Sequence, residues 1–175
     1  MIDPLLLLVL QAFWLIAPAY AANAFPPIVK GKKPLDLGKN INKHRILGNG
    51  KTIEGTAAGI IFGMIIGFIQ IISQDYIPSD FGLIQMSVPL IFLLASGAIF
   101  GDIIGAFIKR RFNIKRGSPA PLLDQLDFLV FSIVFASTII DVNLHIVLIL
   151  LFATPIIHWI ANLIGYYTKI KKTPW

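Results

Sequence analysis

A chain of 175 residues that is 56% hydrophobic and only 14% charged, with mean hydropathy +0.78, lies outside the range of soluble domains, of which about a quarter is charged. The net charge of +6 is placed beside apolar runs, which favours an anionic lipid surface or an anionic substrate and excludes nucleic acid as the expected partner. Cysteine is absent, so disulfides, thiolate catalysis and Cys-based zinc or iron–sulfur sites are excluded.

Five apolar runs follow one another. The first, roughly 4–20, "PLLLLVLQAFWLIAPAY", has a rival reading as a signal peptide, because "AYA" and "ANA" follow it like a cleavage site. Against that, Asp3 stands before it where a signal peptide wants bases, and the bases begin only at Lys30. A retained span with its N-terminus outside is expected. The second span, roughly 54–73, carries Gly55, Gly59, Gly63 and Gly67 as one stripe on a helix face. The third, roughly 86–108, repeats the device with Gly97, Gly101 and Gly105. Such stripes let a neighbouring backbone approach closely, and the two helices are expected to pack on each other. The fourth span is roughly 122–140. The fifth is roughly 143–167, with a kink expected at Pro155 and Trp159, Tyr166 and Tyr167 near the interface.

The 15 lysines and arginines settle the topology. They form three clusters: Lys30 to Lys51, Lys109 to Arg116, and Lys169 to Lys172. Two spans fit between successive clusters and one precedes the first. Five spans therefore put every positive charge on one face, which the positive-inside rule makes cytoplasmic. The expected fold is all-α: a single membrane domain over 1–175, with a cytoplasmic C-terminus and cytoplasmic loops near 23–53 and 109–121. The first loop is long for a connector and is a functional candidate.

Four carboxylates lie at or inside the inner ends of spans: Glu54, Asp102, Asp124 and Asp127. An ionised carboxylate at mid-bilayer costs about 2.5–3.5 kcal/mol on insertion scales, so each calls for a cavity, a cation or a base. Asp102 lies two helical turns before Lys109 on the same face, about 10 Å deeper. Asp124 and Asp127, three residues apart, project from one side of the fourth span. Pro119 and Pro121 just before them suit a helix entrance, where the dipole favours anions. An acidic helix cap accounts for a lone DxxD. With Asp102 and the bases at the same mouth, Mg²⁺ is the other reading, because it takes one or two carboxylates and completes its shell with phosphate oxygens and water. Carboxylates, metal and Lys or Arg together hold polyphosphate.

The segment 48–52, "GNGKT", imitates a phosphate-binding Walker A loop, but Arg45 stands where that loop needs glycine and no strand precedes it. A P-loop NTPase is excluded, while Lys51 and Thr52 remain phosphate candidates. His158 and Asn162, an i, i+4 pair in the fifth span, read as an interhelical hydrogen bond.

The run 101–128, "GDIIGAFIKRRFNIKRGSPAPLLDQLDF", resembles the signature region of the CDP-archaeol synthase family, and 46–55, "ILGNGKTIEG", resembles that family's first inner loop. The chain is more distantly similar to bacterial phosphatidate cytidylyltransferases. The resemblance implies transfer of CMP from CTP to 2,3-bis-O-(geranylgeranyl)-sn-glycerol 1-phosphate, a prenylated lipid acceptor, with Mg²⁺, releasing pyrophosphate. It places Asp102 in a Gly-Asp motif, Lys109, Arg110 and Arg111 in a basic motif, and Asp124 and Asp127 at the closing acidic pair, with Lys51 and Thr52 in the loop. On that reading Asp102, Asp124 and Asp127 hold the metal. Lys51, Thr52, Arg110, Arg111, Lys115 and Arg116 bind the nucleotide, with Lys109 catalytic. Asn40, Asn42 or loop backbone would read cytosine. Ala106 departs from the serine expected there. The alternative is a small transporter or channel subunit with an ion site at Asp102; oligomeric state has no signature in the sequence.

Overall fold

A computed structural model describes residues 3–41, 44–115 and 117–170. Among the described residues there are six α-helices: α1 (Pro4–Ala24), the short α2 (Pro26–Val29), α3 (Ile53–Ser73), α4 (Val88–Arg111), α5 (Leu123–Ala136) and α6 (Leu144–Tyr167). Two two-residue strands, β1 (Asn40–Ile41) and β2 (His44–Arg45), pair antiparallel within the first loop, with Asn40 opposite Arg45. The all-α expectation holds apart from this small ribbon.

α1 starts cleanly because Asp3 caps it, its carboxylate accepting from the N–H of Leu5 (2.8 Å) and Leu6 (3.1 Å), with Pro4 in the first turn. It then becomes the central helix, packed against α3, α4, α5 and α6. Ala12, Leu15, Ile16, Ala19 and Ala22 are fully buried there. Ala19 and Ala22, which look like part of a cleavage site in the sequence, thus pack inside the bundle.

Several boundaries move. The first span continues through Ala24, and the helix carrying Lys109, Arg110 and Arg111 runs to Arg111 instead of ending at 108. These bases form its last turn, where the helix dipole favours cations. The fourth span is the largest correction. Its helix covers 14 residues and ends at Ala136. At 1.5 Å per residue that is about 21 Å, against about 30 Å of hydrocarbon. Ser137 and Thr138 end it by turning their hydroxyls onto the carbonyls of Ile133 (2.8 Å) and Phe135 (2.6 Å). Among the described residues four segments, Pro4–Val29, Ile53–Tyr76, Val88–Arg111 and Leu144–Tyr167, are long and apolar enough to cross a membrane.

The two glycine stripes do not face each other. A Cβ on Gly63 would lie 2.7 Å from the carbonyl oxygen of Pro18, and one on Gly67 would lie 2.5 Å from Ile91 Cβ. The α3 stripe therefore fits the groove between α1 and the aliphatic side of α4. The α4 stripe lies on another side of that helix and receives α5: a Cβ on Gly97 would stand 2.7 Å from the carbonyl oxygen of Phe131. Ser132, fully buried, fastens the same seam by donating to Leu94 O at 3.1 Å.

The end of the bundle away from the basic loops is cross-tied. Gln11 donates to Phe81 O (2.9 Å), Trp14 to Ile84 O (3.0 Å) and Gln70 to Trp14 O (2.7 Å). Gln74 both donates to and accepts from the Met86 backbone.

Candidate active site

The basic end opens into a cavity of about 830 Å³. Its walls come from the first loop, from α1 and α2 at Asn23 and Pro26, from α3 at Gly55 and Thr56, and from α4, α5 and α6. Lys51, Thr52, Asp102, Lys109 and Asp124 all line it, so five of the residues singled out in the sequence meet in one place.

Lys51 and Lys109 are each paired with a carboxylate from another element. Lys51, from the loop, forms an ion pair with Asp102 of α4. Lys109, at the end of α4, meets Asp124 of α5 at 2.5 Å. Asp124 is held from a second side, because the Ala120 N–H donates to its other oxygen at 2.9 Å. The chain reaches that position through Leu122, whose φ of +65° is rare for a branched residue and turns α5 into the cavity wall. Thr52 is buried and caps α3, its hydroxyl accepting from Gly55 N at 3.1 Å.

Asp127 stands one layer back. It does not line the cavity; its carboxylate lies against the bare Cα of Gly105 and accepts from Phe128 N at 2.6 Å. A side chain on Gly105 would occupy the space of that carboxylate. Asp127 remains close enough to Asp102, Asp124 and Lys51 to feel their charges. Among the described residues no three His, Asp or Glu side chains converge as a ready metal cage. The donors that face the cavity, Asp102 and Asp124, are hard oxygens, which suits Mg²⁺ held by one or two carboxylates plus phosphate and water. In this arrangement lysine ammonium groups stand where such a cation would neutralise them.

The arginines do different work from that expected. Arg110 donates through Nε to Leu47 O (3.2 Å) and through its guanidinium to Ile114 O. Arg111 donates to Arg45 O (2.9 Å) and Ile41 O (3.3 Å) and lies over the Phe107 ring at 5.2 Å. Both clamp the first loop onto α4 instead of lining the main cavity. Lys115 and Arg110 line a second, smaller cleft of about 350 Å³ with His44 and Arg45. Arg116 lies outside the described residues, as does Asn42. Asn40 is in β1, away from the cavity, whereas Asn49 lines both cavities.

The residue that sequence reasoning missed is Asp36. It is buried within a basic loop and accepts from Arg45 (2.6 and 3.3 Å), Gly38 N (3.1 Å), Leu47 N (3.0 Å) and Gly48 N (2.9 Å). The Arg45 guanidinium beside it, helped by the Leu47 and Gly48 amides, holds its carboxyl well below the usual carboxylate range despite burial. The loop folds around this one anion, and Gly48, at φ +86°, supplies the turn a side chain would resist. The result delivers Asn49, Gly50 and Lys51 to the cavity. A lone acid among seven nearby bases is the available signal. Three α6 residues, His158, Trp159 and Asn162, also line the cavity. His158 and Asn162 bond to each other within α6 at 3.2 Å.

The family model for CarS-like CDP-archaeol synthase matches residues 5–175. The chain belongs to the CDP-archaeol synthase family. It is 45% identical to the CDP-archaeol synthase of Pyrococcus horikoshii over 167 residues, covering 95% of this chain and 96% of that one. It is 48% identical to that of Methanococcus maripaludis over 177 residues, covering 98% and 99%. A solved structure described as an intramembrane enzyme for archaeal membrane lipids biosynthesis superposes with a TM-score of 0.77 at 34% identity, covering 88% of this chain and 94% of that one. Family membership confirms the resemblance carried by residues 101–128 and 46–55. It disfavours the transporter alternative, which also needs access from the end that Gln11, Trp14, Gln70 and Gln74 tie together.

Proposed function

We propose that this cavity is where CMP passes from CTP to 2,3-bis-O-(geranylgeranyl)-sn-glycerol 1-phosphate, giving unsaturated CDP-archaeol and pyrophosphate at the cytoplasmic face of the membrane. The observation that carries this reading is the meeting of Lys51, Asp102, Lys109 and Asp124, from the loop and two helices, in one cavity beside a lipid-facing helix. The activity itself is that of full-length relatives at 42–48% identity.

An oxygen of the acceptor phosphate attacks the α-phosphorus of CTP and forms the new P–O bond. The bond from that phosphorus to the bridging oxygen breaks, and its electron pair leaves with pyrophosphate. A phosphomonoester is already anionic at neutral pH, so no strong general base is required. What the site supplies is alignment and neutralisation of two mutually repelling anions. Lys51 and Lys109 exchange their carboxylate partners for phosphate oxygens. Asn49 and the neighbouring loop backbone face the nucleotide. Asp102 and Asp124 would hold Mg²⁺, with Asp127 behind them, and the ion when bound would withdraw charge from the phosphates and the leaving group. Arg110 and Arg111 act indirectly by fixing the loop.

Purified protein in detergent, given CTP, Mg²⁺ and the prenylated glycerol phosphate, releases pyrophosphate, and Asp124→Asn abolishes the release while the fold persists. A well-folded wild-type sample that releases none, or an Asp124→Asn variant that releases it normally, contradicts the assignment.

A further inference from the structure

The reaction joins a soluble nucleotide to a lipid that cannot leave the bilayer. Each CH₂ drawn into water costs about 0.8 kcal/mol, so the acceptor must bring its phosphate to the cavity from the side while its tails stay in hydrocarbon. The helix packing leaves one side for this. α3, α4, α5 and α6 are arranged about α1, with α3 against α4, α4 against α5 and α5 against α6. Among the described residues, no Cα of α6 comes within 8 Å of one in α3. The ring is open between these two helices, and the cavity is lined on one side of the gap by Thr56 and on the other by α6.

The α6 side of that gap is unusual for a membrane-spanning helix. Thr154, His158 and Asn162 form a polar stripe at four-residue spacing in its basic-end half. Thr154 is consumed by Tyr20, its hydroxyl 2.7 Å from the phenol. His158 and Asn162 line the cavity. Their mutual bond at 3.2 Å and the stacking of the imidazole on Phe128, at 6.4 Å between ring centres, fix both groups on the wall. Polar side chains inside a span are costly, and these two line the cavity instead of facing lipid. Trp159 lines the same cavity yet is 57% exposed, so its ring bridges the wet interior and the lipid side as interfacial tryptophans do.

We infer that His158, Asn162 and Trp159 form the acceptor half of the site: the imidazole and amide take the phosphomonoester of the lipid, admitted between α3 and α6, and the indole packs on the first carbons of its chains. The loop half, with Lys51, keeps the nucleotide. This division rests on the cytidylyltransferase reading, and steady-state kinetics with both substrates varied separates the two claims.

His158→Ala raises KM for the lipid at least about ten-fold and leaves KM for CTP within about two-fold, the opposite of Lys51→Ala. Trp159→Ala raises KM for the long-chain acceptor but not for a short-chain, water-soluble glycerol phosphate ether, because only the former uses the indole. His158→Gln, which retains a hydrogen-bonding group, falls between wild type and His158→Ala. Unchanged protection from heat by CTP shows that the nucleotide half is intact in each variant. A rise in KM for CTP with none for the lipid, or no change in either, overturns the acceptor assignment while leaving the reaction standing. A wild-type sample that binds CTP but never releases pyrophosphate overturns the reaction and the acceptor wall together.

Discussion

Lys51 and Lys109 each pair with one of the cavity's carboxylates, Asp102 and Asp124, at the edge of a bilayer where an unpartnered charge is costly. Removing a lysine has two opposed effects. It weakens the grip on phosphate, and it frees a carboxylate to bind a cation without competition. Lys51→Met is therefore expected to bind Mn²⁺ more tightly than wild type when CTP is absent, read by electron paramagnetic resonance, and to bind CTP more weakly. Unchanged Mn²⁺ affinity would show that the ammonium does not share the cation's place. Asp36 acts on the same lysine from a distance, through the loop. Its carboxyl is held well below the usual carboxylate range by Arg45, so its contribution is fully present above the unfolded value near pH 4 and is lost only as pH falls through the lower folded value. Hydrogen exchange at Leu47 and Gly48, corrected for intrinsic rates, should keep its protection from pH 8 to pH 5. Asp36→Asn should lose that protection, because the Arg45 guanidinium and the Leu47 and Gly48 amides lose the anion they share. Protection that fades between pH 7 and pH 5 in the wild type would contradict this account.

α4 is the element on which the site is built. One side carries Ile91, Ala95 and Ile99 toward α1 and α3, and the glycine side takes α5. Its last turn carries Lys109 for the cavity and Arg110 and Arg111 for the loop. Helix propensity alone favours alanine over glycine by about 1 kcal/mol. At Gly101 the sign reverses, because a Cβ would strike the backbone of Asp127 and Phe128, and overpacking costs about 1–3 kcal/mol. Gly101→Ala should lower the thermal unfolding midpoint in detergent and reduce turnover by displacing α5 with Asp124. A midpoint at or above wild type would show that the α4–α5 seam has room.

At the scale of the whole molecule, charge placement and hydropathy were enough to read a helical membrane bundle with one worked end. Long apolar segments announce themselves, and lysines and arginines cluster where lipid excludes them. The convergence of Asp102, Asp124, Lys51 and Lys109 was legible for a related reason, since carboxylates at span ends need neutralisation nearby. Three features were hidden. The extent of α5 depends on hydroxyls at Ser137 and Thr138 that cost little hydropathy. Arg110 and Arg111 look like phosphate ligands in any one-dimensional reading, and only the path of the loop shows that backbone carbonyls claim them first. The packing of α3 on α4 was legible, but the partner of the α4 stripe, α5, was not, because a glycine stripe gives the side of close approach without saying which neighbour fills it. Membrane orientation is open to direct test, helped by the absence of cysteine. Lys39→Cys should react with a membrane-impermeant maleimide only from the cytoplasmic side and Asp80→Cys only from outside; labelling of both from one side would contradict the arrangement.

The most direct test is a density map of the protein with CTP and a divalent cation bound. The triphosphate should lie between Lys51 and Lys109, with the cation on Asp102 or Asp124 and each lysine turned from its carboxylate to phosphate. A triphosphate seated in the smaller cleft on His44 and Lys115, with both lysine–aspartate pairs intact, would contradict it.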